Sequence, residues 1–388
     1  MKKIVLSTIA TLTLSSVCAS ANEVKLYQDA NGQVFTKPAD GRVEIKSSAL
    51  KSSKASKLKF GVNAFMGYTF NDHKEGITSD ATTAYNDDSS AFELRRAYFQ
   101  VKAYLLDDPK SFYRITFDVS QNDEGDVVAR TKYAYLYLNE ILPSTGLEIG
   151  IVHRPWHDYE TSNSWYFRNM SKGFIEASNG SHLSSSADFG FDLKTKTKYF
   201  DSEFGIYNGE GYHSEQKSSA GMSFEWRTTA HLLGVNGAKK QTKKTYLDMS
   251  FFGQINQQHN LVGSDYEDLI FGGLHTVYNQ PEFLVSAQYI YSTDTVDGTT
   301  ISKQAGAGYS ANAEYRLGDK KEYSIIARYD NWTPKDKVAN KTYIAGTAWT
   351  QNKNIQWVGN VIVTNNEDGS SIEKENGVAY MVTAQVKF

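Results

Sequence analysis

"LKFGVNAFMGYTF", residues 58–70, decides how the rest of the chain is read. Leu58, Phe60, Val62, Ala64, Met66, Tyr68 and Phe70 share one face of an extended strand. Lys59, Gly61, Asn63, Gly67 and Thr69 share the other, with Phe65 as the exception. Successive side chains of a strand point to opposite faces, so this period of two argues strand and not helix. The run is long. Strands of globular proteins usually have about 5–6 residues, whereas a tilted strand that crosses a bilayer needs about 9–11 plus extensions.

The pattern recurs to the end of the chain. With 58–70, it predicts strands at 92–105, 111–119, 129–138, 147–154, 187–194, 198–207, 220–233, 244–256, 266–278, 282–292, 303–316, 322–332, 341–350, 355–364 and 377–388, sixteen in all. Short connectors carry turn chemistry: "DDPK" (107–110), "TKTK" (195–198), "NQPE" (279–282), "GDKK" (318–321) and "QNKN" (351–354). Longer polar segments fall between them, at 71–91, 120–128, 155–186, 208–219, 257–265, 293–302, 333–340 and 365–376. Short turns at one end and long loops at the other predict an all-β fold, a sixteen-stranded antiparallel transmembrane β-barrel. A soluble β-sandwich or a large solenoid is the rival, but the inner face of a sandwich is aliphatic. Here the apolar face is rich in Tyr, Phe, Ala and Val, and the opposite face in Arg, Lys, Gln, Asn, Asp and Ser, which suits a solvated interior.

The closing stretch "AYMVTAQVKF" (379–388) fits this reading. Val378, Tyr380, Val382, Ala384, Val386 and Phe388 share the face expected to meet lipid. The last strand of a closed barrel must pair with the first and leaves no edge. This ending resembles the C-terminal signature of outer-membrane proteins read by the barrel-assembly machinery, which makes Phe388 a candidate assembly signal.

Composition agrees. The 388 residues include only 6 prolines and no linker in mid-chain, and aromatics reach 13% against a hydrophobic fraction of 40%. Lys2 and Lys3, the apolar stretch from Ile4 to Val17, and Ala19-Ser20-Ala21 read as a secretory signal cleaved before Asn22. Acylation at Cys18 is the rival, weakened by Val17 and Ser15. Cleavage removes Cys18, the one cysteine, and takes the formal charge from −3 to −5, which excludes a disulfide scaffold and a strongly basic nucleic-acid binder. Residues 22–57 read as a periplasmic extension: a small hairpin about Asn31-Gly32, then the Ser/Lys-rich tether "SSALKSSKASK" (47–57). The expected domains are a signal peptide (1–21), this extension (22–57) and the barrel (58–388).

"FELRRAYFQVKAYL" (92–105), "LEIGIVHRPW" (147–156), "FDLKTKTKYFDSEFGIYNGEGY" (191–212) and "YSIIARYDNW" (323–332) resemble the phosphate-selective porin O/P family. The resemblance covers most of 58–388. It implies a homotrimeric outer-membrane porin, with the third long loop inserted into a channel for small hydrophilic solutes and ions.

On this reading the third loop, 155–186, narrows the lumen. Its charged members are His157, Arg168, Lys172 and Glu176. Trp165, Phe167, Met170 and Phe174 recur near helical spacing and predict a short helix in "SWYFRNMSKGFIEASN" (164–179). A solvated surface loop is the plainer alternative. Because Ala97, Phe99, Val101 and Ala103 face out, Arg96 and Lys102 face in. The same rule turns Arg114, Arg154, Lys194, Arg227 and Arg328 inward, where Arg side chains steer anions. It also turns in Asp118, Asp192, Asp201, Glu203, Glu225, Glu314 and Asp330, so a mixed-charge wall competes with a phosphate ladder. Arg95 is left facing lipid, or sitting at a bulge or rim. The remaining motifs are weak. "GAGYSA" (306–311) lies inside a strand, "HDYE" (157–160) offers one imidazole to a metal, and "SNGS" (178–181) near His182 is ordinary turn chemistry. No cofactor or metal is expected, and an outer-membrane enzyme or adhesin is the alternative class.

Overall fold

The computed structural model describes residues 27–44 apart from 32 and 36, and 58–73, 89–104, 108–121, 126–216, 221–236, 242–262, 265–294, 304–335, 338–366 and 377–388. The predicted signal peptide and Ser/Lys tether lie outside these residues. Within 27–44 a three-stranded sheet forms from β1 (Tyr27–Asp29), β2 (Val34–Phe35) and β3 (Arg42–Glu44), in the order β2-β1-β3. The Asp29 carboxylate closes the β1–β2 turn by accepting the backbone N–H groups of Asn31 and Gln33, at 3.0 and 2.9 Å.

Residues from Leu58 onward form a closed barrel of sixteen antiparallel strands in sequence order. They are β4 (Leu58–His73), β5 (Ser89–Ala103), β6 (Phe112–Gln121), β7 (Val127–Leu142), β8 (Thr145–His153), β9 (Ala187–Lys196), β10 (Phe200–Tyr207), β11 (Ser223–His231), β12 (Tyr246–Val262), β13 (Asp265–Gln280), β14 (Phe283–Asp294), β15 (Gly306–Leu317), β16 (Tyr323–Pro334), β17 (Asn340–Thr350), β18 (Ile355–Asn366) and β19 (Gly377–Lys387). Every predicted strand is present. The ring closes where β19 pairs with β4, from Gly377 opposite His73 to Lys387 opposite Asn63. Phe388 extends the seam: its N–H donates to the Val62 carbonyl at 3.0 Å.

Each strand sorts its side chains by parity. In β16, Tyr323, Ile325 and Ala327 are exposed on the outer face, while Ser324, Ile326, Arg328, Asp330 and Trp332 are buried inside. Tyrosines such as Tyr289, Tyr309, Tyr315 and Tyr343 stand on the outer face. Register irregularities occur in four pairings, and in two of them a single extra residue breaks the alternation. Opposite β4 the register slips between Phe65 and Met66, leaving Arg95 as the extra residue of β5. Opposite β6 it slips between Thr116 and Phe117, leaving Lys132 as the extra residue of β7. A bulged residue sits outside the two-residue repeat, so it can turn either way.

Three connectors depart from expectation. The loop predicted at 257–265 is instead the upper part of a tall hairpin, with Val262 paired to Asp265. The β11–β12 connection, 232–245, is long although it lies at the short-turn end, and Val235 packs beneath the apolar cluster described below. The short helix predicted within 164–179 is not there. A helix, α1, spans Pro155–Asn163 instead. Proline opens its first turn, where its missing N–H costs nothing, and Asp158 complements the positive end of the helix dipole. The spacing of Trp165, Phe167, Met170 and Phe174 reflects burial on several sides, not one helical stripe.

Candidate functional site

The segment 154–186, between β8 and β9, packs against the inward-facing side chains of the far strands. Trp156 stacks flat on Phe252 of β12, with centroids 3.7 Å apart and planes 3° from parallel. Phe252 can lie there because its β13 neighbour is Gly273, where a Cβ would strike the ring. Tyr166 and Tyr246 share a hydrogen bond of 2.8 Å, and Tyr159 donates to Asp248 at 2.9 Å. Trp165, Phe167 and Met170 form one apolar cluster with Val277, Leu284, Ile326 and Ile344. Phe174, Ile175 and Leu183 form another with Leu269, Ile290 and Trp332. Thus the inner face of β12–β18 is not uniformly polar: it carries the apolar seat on which this segment rests. Polar bonds extend the contact to β16–β19. Arg328 donates to the Lys172 carbonyl and Thr342 to the Asn179 carbonyl, both at 2.8 Å. Asn169 donates to Gln356 at 3.2 Å and Gln385 at 3.1 Å.

Open space remains on the other side, along β4–β11. It includes two cavities, of 320 and 560 Å³, that share Arg114, His153 and Asp158 in their linings. The charged side chains of the smaller one are Arg114, Lys132, Arg168 and Lys387 against Asp158. Lys59, Lys102, Lys194 and Arg227 line the larger one with Glu148, Asp201 and Glu203.

The predicted basic residues divide sharply here. Arg154, 2% exposed, bonds Glu225 at 2.8 Å and Asp188 at 3.5 Å, tying both ends of the segment to β11. The "YNGEG" turn explains itself at this point. Gly209 and Gly211 take φ of +107° and +84°, and the Gly209 N–H donates to Asp188 at 2.7 Å. Arg227 pairs with Glu203 at 2.9 Å, and Arg328 grips Asp330 with two bonds of 2.8 and 2.7 Å. Lys194 lies among Glu148, Asp192 and Glu203. These cations are compensated. Arg96 pairs with Asp118 at 2.6 Å. Arg114 instead bonds Thr116 and Tyr135 and lies 3.1 Å from His153 Nε2. Glu148 belongs to His153 and Lys194. Lys102 sits over the Phe112 ring at 4.3 Å.

On the segment itself, Arg168 bonds Glu176 at 2.7 Å and Lys172 lies 3.5 Å from it. Burial opposes charge on Glu176, but Arg168, Lys132 and Lys172 outweigh it and hold the carboxyl well below its usual range. Burial pushes His157 down to about 3 and keeps it neutral, 2.7 Å from the Ser184 hydroxyl. Phe388 lines the smaller cavity at its edge and is 73% exposed.

Sequence reasoning missed four features. Arg95 turns inward at its bulge and donates to the Asn169 carbonyl at 2.8 Å. Lys132, 3% exposed, turns inward at the other bulge. Neither bulge marks the local residue types. Lys59 and the inward row Tyr133, Tyr135 and Tyr137 had a signal: Ala134, Leu136 and Leu138 alternate with the tyrosines and face out.

No protein-family model and no curated protein sequence matches the chain. Solved structures match it in fold. An anion-selective porin from Comamonas acidovorans superposes with TM-score 0.61 at 11% identity, covering 85% of this chain and 98% of that one. The outer-membrane protein OmpT of Vibrio cholerae gives 0.56 at 10%, over 85% and 97%. A mutant of the Rh. blastica porin gives 0.51 at 9%, over 85% and 100%. The chain therefore shares the closed barrel architecture of these structures, with sixteen strands.

Proposed function

We propose that this chain is a bacterial outer-membrane porin, exported through the periplasm, for passive diffusion of small hydrophilic solutes and ions with a preference for anions. The observation that carries the reading is the arrangement of the lumen. Segment 154–186 rests on β12–β18 and leaves a passage along β4–β11 whose smaller cavity has Arg114, Lys132 and Lys387, besides the Glu176-paired Arg168, against Asp158. Low-dielectric walls focus the field of such a cluster on a passing ion. On this reading segment 154–186 is the constriction, with Arg168, Lys172 and Glu176 as its charged part and His157 neutral beside them. Arg114 and Lys102 steer anions, while Arg154, Arg227 and Arg328 hold the wall and loop together. The buried pairing of those three arginines favours general anion preference over a phosphate ladder. The name of the Comamonas neighbour, an anion-selective porin, supports the same choice. Homotrimerisation, contact with outer-membrane lipids and recognition of Phe388 by the barrel-assembly machinery belong to this reading, as does the division into signal peptide, extension and barrel.

Reconstitution in planar bilayers under a KCl gradient tests it. The expected result is stepwise conductance with a zero-current potential displaced toward that of chloride. Absence of steps would refute the porin, and a potential displaced toward potassium would refute the anion preference.

A further inference from the structure

The cations of the lumen are held in two ways. Arg96, Arg154, Arg227 and Arg328 have carboxylates. Lys59, Arg114 and Lys132 have rings, and among the described residues no carboxylate lies within ion-pair distance of them. Lys59 Nζ is 4.7 Å from the centroid of Tyr104. The Arg114 guanidinium is 4.7 Å from Tyr133 and 5.8 Å from Tyr135. Lys132 Nζ is 5.1 Å from Tyr98 and 5.6 Å from Tyr133.

The rings also touch each other in sequence. Tyr104 lies 5.3 Å from Phe112, Phe112 lies 5.1 Å from Tyr137 and 6.1 Å from Tyr135, and Tyr135 lies 6.4 Å from Tyr133. This strip runs through both cavities and crosses their junction at Arg114. A ring face attracts a cation without cancelling its charge, unlike a carboxylate. The strip thus sets positive charge beside flat apolar surface: Lys59 is exposed, Arg114, Tyr104, Phe112, Tyr133 and Tyr137 are half-buried, and Lys132 and Tyr135 are buried. An inorganic anion uses the charge alone. A planar organic anion uses both, by laying its carboxylate on a guanidinium and its body against a tyrosine ring.

We propose that this cation–aromatic strip is a binding track for small organic anions with a planar unsaturated body, the aromatic carboxylates. The inference rests on the porin reading and deepens it.

The test is block of the chloride current through the reconstituted full chain, with benzoate and cyclohexanecarboxylate as probes of equal charge and similar size. Benzoate is expected to half-saturate at a concentration about fivefold lower, the gain typical of one aromatic stacking contact. Tyr133→Leu is expected to bring the two probes together. A channel that conducts chloride and treats both probes alike overturns the track and leaves the porin standing. A chain that forms no channel overturns the porin and the track with it. If Tyr133→Leu fails to assemble, the comparison of probes on the unmodified chain decides alone.

Discussion

Arg96 and Arg114 follow the same rule in the sequence and do different things in the barrel. Arg96 is spent on Asp118, while Arg114 keeps its charge for the passage. Arg114→Gln is therefore expected to lower the anion-over-cation permeability ratio by about threefold, because one screened charge is worth under about 1 kcal/mol to a passing ion. The zero-current potential in a salt gradient checks this, and assembly stays intact. Arg154 is a contrast. Arg154→Ala strands Glu225 and Asp188 in the wall, and breaking a buried pair of this kind costs about 3–5 kcal/mol. The midpoint of urea unfolding in detergent should fall accordingly, and a midpoint unchanged from the parent would show that Arg154 is not an anchor.

At the scale of elements, segment 154–186 depends on the surface beneath it. Gly273→Val puts a side chain where Phe252 lies and tilts the pad under Trp156. Overpacking of this kind costs about 1–3 kcal/mol. The barrel should still form, with larger and noisier single-channel conductance; steps identical to the parent's would count against the stack. His157 gives the same segment a pH dependence. Its folded pKa, about 3, lies below the ordinary 6.5, so the unfolded chain takes the proton first. Its contribution is full above pH 6.5 and declines as pH falls toward 3. The unfolding midpoint of the parent should drop more steeply across that window than that of His157→Gln. These elements were unequally legible in the sequence. Every strand was readable because the outer face must be apolar at alternate residues, whatever the inner face holds. The bulge at Lys132 was not, and the one at Arg95 only as an alternative to facing lipid or lying at a rim, because a phase slip of one residue depends on the partner strand. The apolar seat under the loop was hidden as well. Ile326 and Trp332 share a face with Arg328 and Asp330, and only the packed loop shows why.

For the whole molecule the seam between β19 and β4 matters most. Deleting Phe388 removes both backbone bonds to Val62 at the end of the ring and is expected to reduce the heat-modifiable, folded fraction, leaving the conductance of the assembled channels unchanged. Altered conductance with full assembly would contradict that assignment. The site was half legible at this scale: the sequence marked the inward arginines and the loop, but pairing decides which charges act. Gln385 on β19 takes part in two contacts at once. It donates to Asn63 of β4 at 2.8 Å and accepts from Asn169 of the loop at 3.1 Å. A slip of the seam by two residues would keep every face correct, so lipid and lumen could not detect it. It would carry Gln385 about 7 Å along β4, away from Asn63, and Asn169, which also accepts from Arg95 of β5, could not keep both of its holds. The loop thus serves as a proofreader of barrel closure, able to tell the right register from its nearest counterfeit.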